Sequence, residues 1–334
     1  MGDDDTNTSA RPDGDSERAV ECDGGNGRAI ERDGHPQGGS GSTDRGRPVS
    51  VSTTGDASEF QGEDLVIGYP SAEEPVVDGE RIRVEPGAVT ALVGPNGSGK
   101  STLLKGLATQ LALDAGAVHI DGRDVHELDT KELARKLGLL SQENVSPNSL
   151  SVEKLVEHGR YPHRGFFDEL SEEDREAIER AIDLAGVDHL RDRQVGSLSG
   201  GQKQLVWIAM VLAQETDVLL LDEPTTFLDL HHQLEVMEIV ETLRDESDIT
   251  VVVVLHDIDQ AARYADYMVA LEDGSIYARG PPEEVVTEEL LADVFEIEAT
   301  VEETDWGPDV RPIRPLHEDT DGDTGDDSPD GPST

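Results

Sequence analysis

The sequence has a single cysteine and very few lysines. Cys22 is the only cysteine among the 334 residues, which excludes an intrachain disulfide and a cysteine cluster that could bind a metal. Six residues are lysine, and the 27 basic residues face 73 acidic ones, so the formal net charge is −46. A basic face that could bind nucleic acid is therefore not expected, and nucleic acid is excluded as a predicted partner.

Long apolar runs are also missing. A membrane-spanning helix needs about 18 or more consecutive apolar residues. The longest runs here, around Val218–Leu221 and Val251–Leu255, have the length of a buried strand. The N-terminus is acidic rather than basic and then apolar, so we expect no secretory signal. The sequence thus predicts neither a membrane span nor export.

The acidic excess itself suggests an environment. Unpaired carboxylates cannot be buried, so most of them must lie on a surface that repels itself at low salt. At about 1 M salt the Debye length is only about 3 Å, and this repulsion is screened. We therefore expect the high-salt cytoplasm of an extreme halophile, and a halophilic archaeon as the source.

The two ends of the chain differ in composition from its centre. Residues 1–58 are rich in Gly, Asp, Ser and Arg, and residues 305–334 are acidic and rich in Pro and Gly. Such segments bury too little apolar surface to offset the entropy of ordering. We predict disordered acidic tails at 1–58 and 305–334, and one folded domain at 59–304.

A phosphate-binding loop is the clearest motif in that domain. Gly94–Ser101 fits the pattern G-x-x-x-x-G-K-[ST], between a predicted buried strand and a predicted helix. Glycines let backbone N–H groups surround a phosphate, and the helix N-terminus adds its positive dipole end. Lys100 can reach the terminal phosphates, and the hydroxyl of Ser101 can ligate Mg²⁺. The predicted nucleotide-binding residues here are Gly94, Pro95, Asn96, Gly97, Ser98, Gly99, Lys100, Ser101 and Thr102.

Two acidic residues end a second apolar strand. Asp222 and Glu223 follow Val218–Leu221, and the carboxyl end of a parallel strand faces the ligand crevice of such sheets. Asp222 can then hold Mg²⁺, and Glu223 can accept a proton from an attacking water. A core strand that ends in solvated acids is the simpler interpretation, but the upstream phosphate loop favours the functional one.

A further glycine-containing turn precedes a predicted helix. Ser199, Gly200, Gly201 and Gln202 follow Leu198 and could form a second cradle of backbone N–H groups for an anion. In isolation the turn would be a serine cap on a helix. By contrast, His231 and His232 open a later helix without a third ligand nearby, and we interpret them as structural.

Together these motifs resemble the ATP-binding subunits of ABC transporters over about residues 60–300. Gly94–Ser101 is similar to the Walker A motif, Leu198–Gln202 to the ABC signature and Val218–Glu223 to Walker B. Four further residues occur in the order of that family's motifs: Tyr69 for the adenine-stacking A-loop, Gln142 for the Q-loop, Asp229 for the D-loop and His256 for the switch histidine.

The resemblance implies a fold and a mechanism. The fold is α/β: the P-loop NTPase domain of an ABC ATPase, with an antiparallel β subdomain and a helical subdomain inserted at about 143–200. ATP and Mg²⁺ are the implied cofactors, with Ser101, Gln142 and Asp222 around the metal. Glu223, His256, Gln142 and Lys100 are the implied catalytic residues. Two copies would sandwich ATP, with the signature of one facing the phosphate loop of the other and Asp229 communicating between them.

The resemblance also implies partners and a class of cargo. With one nucleotide domain and no span, the chain would sit on the cytoplasmic face of the cell membrane, under a separate permease and, indirectly, an extracellular substrate-binding protein. Gly159–His163 and Pro224–Asp229 resemble the importer branch for iron–siderophores, haem and cobalamin. We expect ferric siderophore import, with cobalamin or haem import as the alternative. A non-transport ABC ATPase is the alternative of a different class.

Overall fold

The computed structural model describes residues 57–142, 144–145, 147–165 and 168–316. The predicted N-terminal tail lies outside these residues except for its last two positions. The predicted C-terminal tail lies outside them from residue 317 onward.

A six-stranded, mostly parallel sheet forms the centre of the described structure. Its spatial order is β10-β9-β3-β8-β7-β6, and only the pairing of β10 with β9 is antiparallel. Every residue of β3, β7 and β8 is buried, as expected for parallel strands covered on both faces. The strands are β3 (Val89–Val93), β6 (Leu137–Leu140), β7 (Val218–Asp222), β8 (Thr250–Val254), β9 (Tyr267–Glu272) and β10 (Ser275–Gly280).

The two faces of this sheet contribute to two separate apolar cores. Val251 and Val253 of β8 face the core formed with the helices, whereas Val252 and Val254 face the other core. This alternation follows from the two-residue period of a strand. The second core is covered by an antiparallel sheet of order β2-β1-β4-β5, built from β1 (Phe60–Ile67), β2 (Val77–Val84), β4 (Leu113–Ile120) and β5 (Arg123–Asp124).

Most of the helices cover the first core and connect the strands, whereas the helix that follows β3 contributes Leu103, Leu104 and Leu107 to the second core. Between β6 and β7 the chain forms a helical region, consistent with the predicted helical subdomain. The helices are α1 (Lys100–Leu107), α2 (Thr130–Lys136), α3 (Val152–Glu157), α4 (Glu172–Leu184), α5 (Gly200–Leu212), α6 (Leu230–Glu246), α7 (Ile258–Tyr264), α8 (Pro282–Val285) and α9 (Glu288–Asp293), with 3₁₀ turns at Val125–Glu127, His158–His163, Asp188–Leu190 and Val195–Ser197.

The predicted start of the C-terminal tail at residue 305 is wrong. Residues 297–315 form an antiparallel hairpin of β11 (Ile297–Thr304) and β12 (Gly307–Pro315). Val310 is buried beside α7, and its backbone N–H donates to Oδ1 of Asp259 at 2.8 Å. The segment is rich in proline, glycine and acidic residues, and this composition predicted a solvated tail. It also contains Ala299 and Val310, which are buried where the hairpin docks on the core. The folded part therefore extends to at least Leu316.

Candidate nucleotide site

The phosphate loop connects β3 to α1 at the carboxyl edge of the parallel sheet. Gly94, Gly97 and Gly99 all have positive φ, at 142°, 88° and 95°. A Cβ on Gly94 would also lie only 2.2 Å from the carbonyl oxygen of Leu271. Both the backbone conformation and the close approach therefore require glycine at position 94.

Lys100 is folded into this loop. Its Nζ donates to the carbonyl oxygens of Gly94 at 2.9 Å and Pro95 at 2.8 Å, and only 4% of the residue is exposed. Burial lowers the pKa of Lys100, although the negative charges of Glu223 and Asp222 oppose the shift. The loop thus holds an ammonium group at its centre, the position that a terminal phosphate needs.

Ser101 and Asp222 meet across the gap between α1 and β7. The Ser101 hydroxyl donates to Oδ1 of Asp222 at 2.7 Å, and Asp222 is 1% exposed. Among the described residues Oδ2 of Asp222 accepts no hydrogen bond, and Lys105 Nζ lies 3.5 Å from it. A hydroxyl beside a buried carboxylate, one oxygen of which accepts no hydrogen bond, is a donor set that suits Mg²⁺. Lys105 was not among the predicted site residues; its place one turn after Ser101 was the available signal.

Glu223 is held by residues from three strand ends. Its Oε2 accepts from Nε2 of Gln142 at 2.6 Å and from the Thr226 hydroxyl at 3.2 Å. Its Oε1 lies 2.7 Å from Nε2 of His256. Gln142 follows β6, Glu223 follows β7 and His256 follows β8, so the parallel register brings them together. The structure thus pairs Gln142 with Glu223, whereas the family resemblance implied a place for it beside Ser101 and Asp222.

Two adjoining clefts, which share Asn96, Glu223 and His256, collect most of the predicted site residues. Tyr69, 40% exposed, lies at the rim of one, and its hydroxyl is 3.3 Å from that of Thr102. The described lining residues of the two clefts are Tyr69, Val76, Gly94, Pro95, Asn96, Gly97, Gly99, Lys100, Ser101, Thr102, Gln142, Glu223, Thr226, Phe227, His256 and Phe295.

The turn Ser199–Gln202 does not line these clefts within the described structure. Ser199 caps α5: its hydroxyl accepts from the N–H of Gln202, and Oε1 of Gln202 accepts from the N–H of Ser199, both at 3.2 Å. This reciprocal cap starts α5 at Gly200, so the glycines of the turn are the first residues of the helix. Asp229 likewise caps α6, through a bond from the N–H of His232 at 3.1 Å.

None of the described helices combines the length and the hydropathy that a transmembrane helix would need.

Comparison with known proteins identifies relatives of this chain. A model of the ABC transporter family matches residues 77–226. The ferric enterobactin transport ATP-binding protein FepC of Escherichia coli (strain K12) is 43% identical over 242 residues, which cover 72% of this chain and 89% of that protein. The iron(3+)-hydroxamate import ATP-binding protein FhuC of Bacillus subtilis (strain 168) is 43% identical over 239 residues, covering 72% of this chain and 88% of that protein.

Solved structures agree with this grouping. A candidate metal-chelate type ABC transporter in an inward-facing conformation matches with a TM-score of 0.66 and 28% identity, over 78% of this chain and 98% of that one. An ATP-binding cassette in a dimeric, post-hydrolysis state with ADP and Pi bound has a TM-score of 0.58 and 28% identity, over 66% of this chain and 98% of that one. The chain therefore belongs to the ABC transporter family, as one of the ATP-binding subunits that hydrolyse ATP to drive transport.

Proposed function

We propose that this chain energises the import of a ferric siderophore through a separate membrane permease, on the cytoplasmic face of the membrane. The observation that carries the cargo is the identity of 43% to FepC and to FhuC, whose names assign them to ferric enterobactin and iron(3+)-hydroxamate transport. An extracellular substrate-binding protein would deliver the chelate to the permease. Cobalamin or haem import remains the alternative for the same architecture.

The clefts support a role for each residue around ATP. Tyr69 would stack on adenine, and the backbone of 94–99 would surround the phosphates. Lys100 would neutralise the terminal phosphates from its place between two loop carbonyls. Ser101 and Asp222 would hold Mg²⁺, which would neutralise phosphate charge when bound. Catalysis of this kind consists mainly of positioning and electrostatic stabilisation.

We propose that Glu223 acts as the general base. Its carboxylate is 10% exposed, and the donors Gln142, Thr226 and His256 fix its direction. A base so held can take a proton from a water that attacks the terminal phosphorus. His256, on the opposite side of the carboxylate from Gln142, would support the phosphate, and Gln142 would report the presence of nucleotide to the permease.

We infer that the working unit is a homodimer. In one chain the turn Ser199–Gln202 is absent from the described lining of the clefts. A second copy would bring this turn to the phosphates, with Gly200 exposing backbone on the approaching side. The dimeric, ADP-bound cassette among the structural relatives supports this arrangement. Asp229 would then communicate between the two sites.

The net charge of −46 supports a setting for this activity. We propose that the protein works in a high-salt cytoplasm, as in a halophilic archaeon, where salt screens the repulsion between surface carboxylates.

Uptake in cells that lack this gene tests the cargo. Labelled ferric siderophore, labelled haem and labelled cobalamin are supplied in high-salt medium, with the normal chain or with Glu223→Gln. Loss of siderophore uptake alone, restored only by the normal chain, is the expected result. Loss of haem uptake alone, or of cobalamin uptake alone, would show that this compound is the cargo rather than a ferric siderophore. Unchanged uptake of all three would point to a different cargo or to a non-transport ATPase.

A further inference from the structure

Gly201 has a different neighbour from Gly200, although the two are adjacent in the turn. A Cβ on Gly200 would meet no described atom within 4 Å. A Cβ on Gly201 would lie 2.3 Å from both Cδ2 and Cγ of His232 and 2.7 Å from its Nδ1. Contacts under 3 Å with a ring are not tolerated without movement. The imidazole of His232 therefore lies against Gly201, in the space that a side chain at this position would occupy.

The ring of His232 is fixed in that position by the start of its own helix. Oδ1 of Asp229 accepts from the backbone N–H of His232 at 3.1 Å and lies 2.9 Å from Nδ1 of the ring. The side chain is only 20% exposed. These bonds lower the pKa of Asp229; the bond from the backbone N–H of His232 has the largest effect, and the contact with its ring the next largest. The carboxylate therefore stays charged and continues to accept both bonds from His232.

The two contacts connect two functional segments of one chain. The imidazole contacts both Gly201, in the signature turn Ser199–Gln202, and Asp229, at the start of α6. The next buried residues of α6, Val236 and Met237, belong to the main apolar core. The ring thus packs between the turn that begins α5 and the first turn of α6, a helix whose later residues are buried in the core.

We propose that His232 is a positioning residue. It makes the signature turn Ser199–Gln202 and the start of α6 at Asp229 move together. This inference rests on the proposed role of both segments in ATP hydrolysis by a dimer. Gly201 is then required because the ring of the same chain needs the space, whereas Gly200 is required for the approach of phosphate. The two glycines of the turn would serve two different neighbours.

A cycle of substitutions tests this assignment. Gly201→Ala should lower kcat for ATP hydrolysis by at least about tenfold, because the new methyl group pushes the ring and the turn apart. His232→Ala should lower kcat about three- to tenfold, with KM for ATP within about twofold of normal. The double variant Gly201→Ala/His232→Ala should recover to the level of His232→Ala. Recovery is the result that only a steric contact between these two residues explains.

The matched control is Gly200→Ala, where no described atom lies near the new methyl group. Adding His232→Ala to Gly200→Ala should restore nothing. If Gly201→Ala is equally inactive with and without His232→Ala, then Gly201 serves the approach of ligand and the proposal is overturned. His232→Asn, whose amide can still donate to Asp229, should retain more activity than His232→Ala. Equal loss in both would also count against the positioning role.

Thermal unfolding separates this inference from the proposed function. Overpacking at Gly201 should lower Tm by roughly 2–8 °C in the normal chain and by less than about 2 °C in the His232→Ala background. This coupling does not depend on ATP hydrolysis. A normal chain without ATPase activity would contradict the proposed function, whereas equal Tm losses in both backgrounds would contradict the contact. A merely structural His232 would change Tm and leave kcat per folded molecule unaltered.

Discussion

The imidazole Nε2 of His256 lies 2.7 Å from Oε1 of Glu223, at the junction of the two clefts. Gln142 and Thr226 bond to the other oxygen of the same carboxylate. Glu223 also has a φ of 51°, a left-handed conformation that costs a non-glycine residue about 1 kcal/mol or more. A residue held in such a backbone conformation by three side chains has little freedom of direction, which is what a positioned base requires.

Replacing that carboxylate should separate ATP binding from hydrolysis. In Glu223→Gln we expect phosphate release to fall by about 10²- to 10⁴-fold, because the amide cannot accept the proton of the attacking water. ATP binding should be retained, and ATP should hold the protein as a dimer. Phosphate release and light scattering with ATP measure the two effects. Glu238→Gln, on the exposed side of α6, is the matched control. Unchanged turnover in Glu223→Gln would disprove the assignment of the base.

Arg160 should be required for folding stability. It is 2% exposed, and its guanidinium reaches Asp174 at 2.9 Å, Glu215 at 2.8 Å and the carbonyl of Ala213 at 2.8 Å. Arg160→Met leaves two acidic groups without this partner, and we expect the free energy of unfolding to fall by about 3–5 kcal/mol. Urea titration measures it. Arg175→Met, which breaks an exposed pair with Glu172, should cost under about 1 kcal/mol. Equal losses in the two variants would refute the prediction.

The same cluster should make stability depend on pH in the acid range. Burial acts to raise the pKa of Asp174, but hydrogen bonds from Arg160 and Ser171 outweigh it, and the pKa is lowered. A lowered pKa in the folded state contributes stability above the ordinary pKa of about 4, and the contribution is lost as pH falls through the lower, folded value. We expect Tm to fall less steeply below pH 4 in Asp174→Asn than in the normal chain. The exposed Asp183→Asn should keep the normal slope; equal slopes in all three proteins would contradict this account.

Salt should stabilise the fold strongly. Between 0.1 M and 3 M KCl we expect Tm to rise by more than about 10 °C, with most of the rise below about 1 M, where the Debye length has already fallen to about 3 Å. Sucrose at matched osmolality should give a much smaller change, because it does not screen charge. A Tm that is the same at 0.1 M and 3 M KCl would rule out the proposed high-salt setting.

The sequence was most informative where function depends on neighbouring residues. The phosphate loop could be predicted because Lys100 bonds to carbonyls five and six residues before it. The strands β7 and β8 could be predicted because continuous apolar runs are typical of buried parallel strands. The contact of Gln142 with Glu223 could not be read in this way, since it joins residues 81 positions apart and depends on how β6 and β7 align.

Two further contacts could not be predicted, for physical reasons. His232 was interpreted as structural because no third metal ligand lies nearby in the sequence. Its contact with Gly201 joins two different helices, and no local pattern reports the packing of one helix on another. The β11–β12 hairpin was missed because its composition is that of a solvated segment, while its docking involves the buried Ala299 and Val310 and the bond from the Val310 N–H to the Asp259 carboxylate. Amino-acid composition describes a segment as a whole, so it does not reveal that one or two of its residues are buried.

That bond to Asp259 also has a consequence for the order of synthesis. Asp259 lies in α7, which begins two residues after His256, and its partner Val310 follows it by 51 residues. At about 5–20 residues per second, a ribosome adds Val310 several seconds after Asp259. During that interval the phosphate loop and Glu223 already exist, while the helix behind His256 still lacks its hairpin. Until Val310 has been synthesised, Asp259 cannot accept this bond, so α7 gains its contact with the hairpin only late in the synthesis of the described part of the chain.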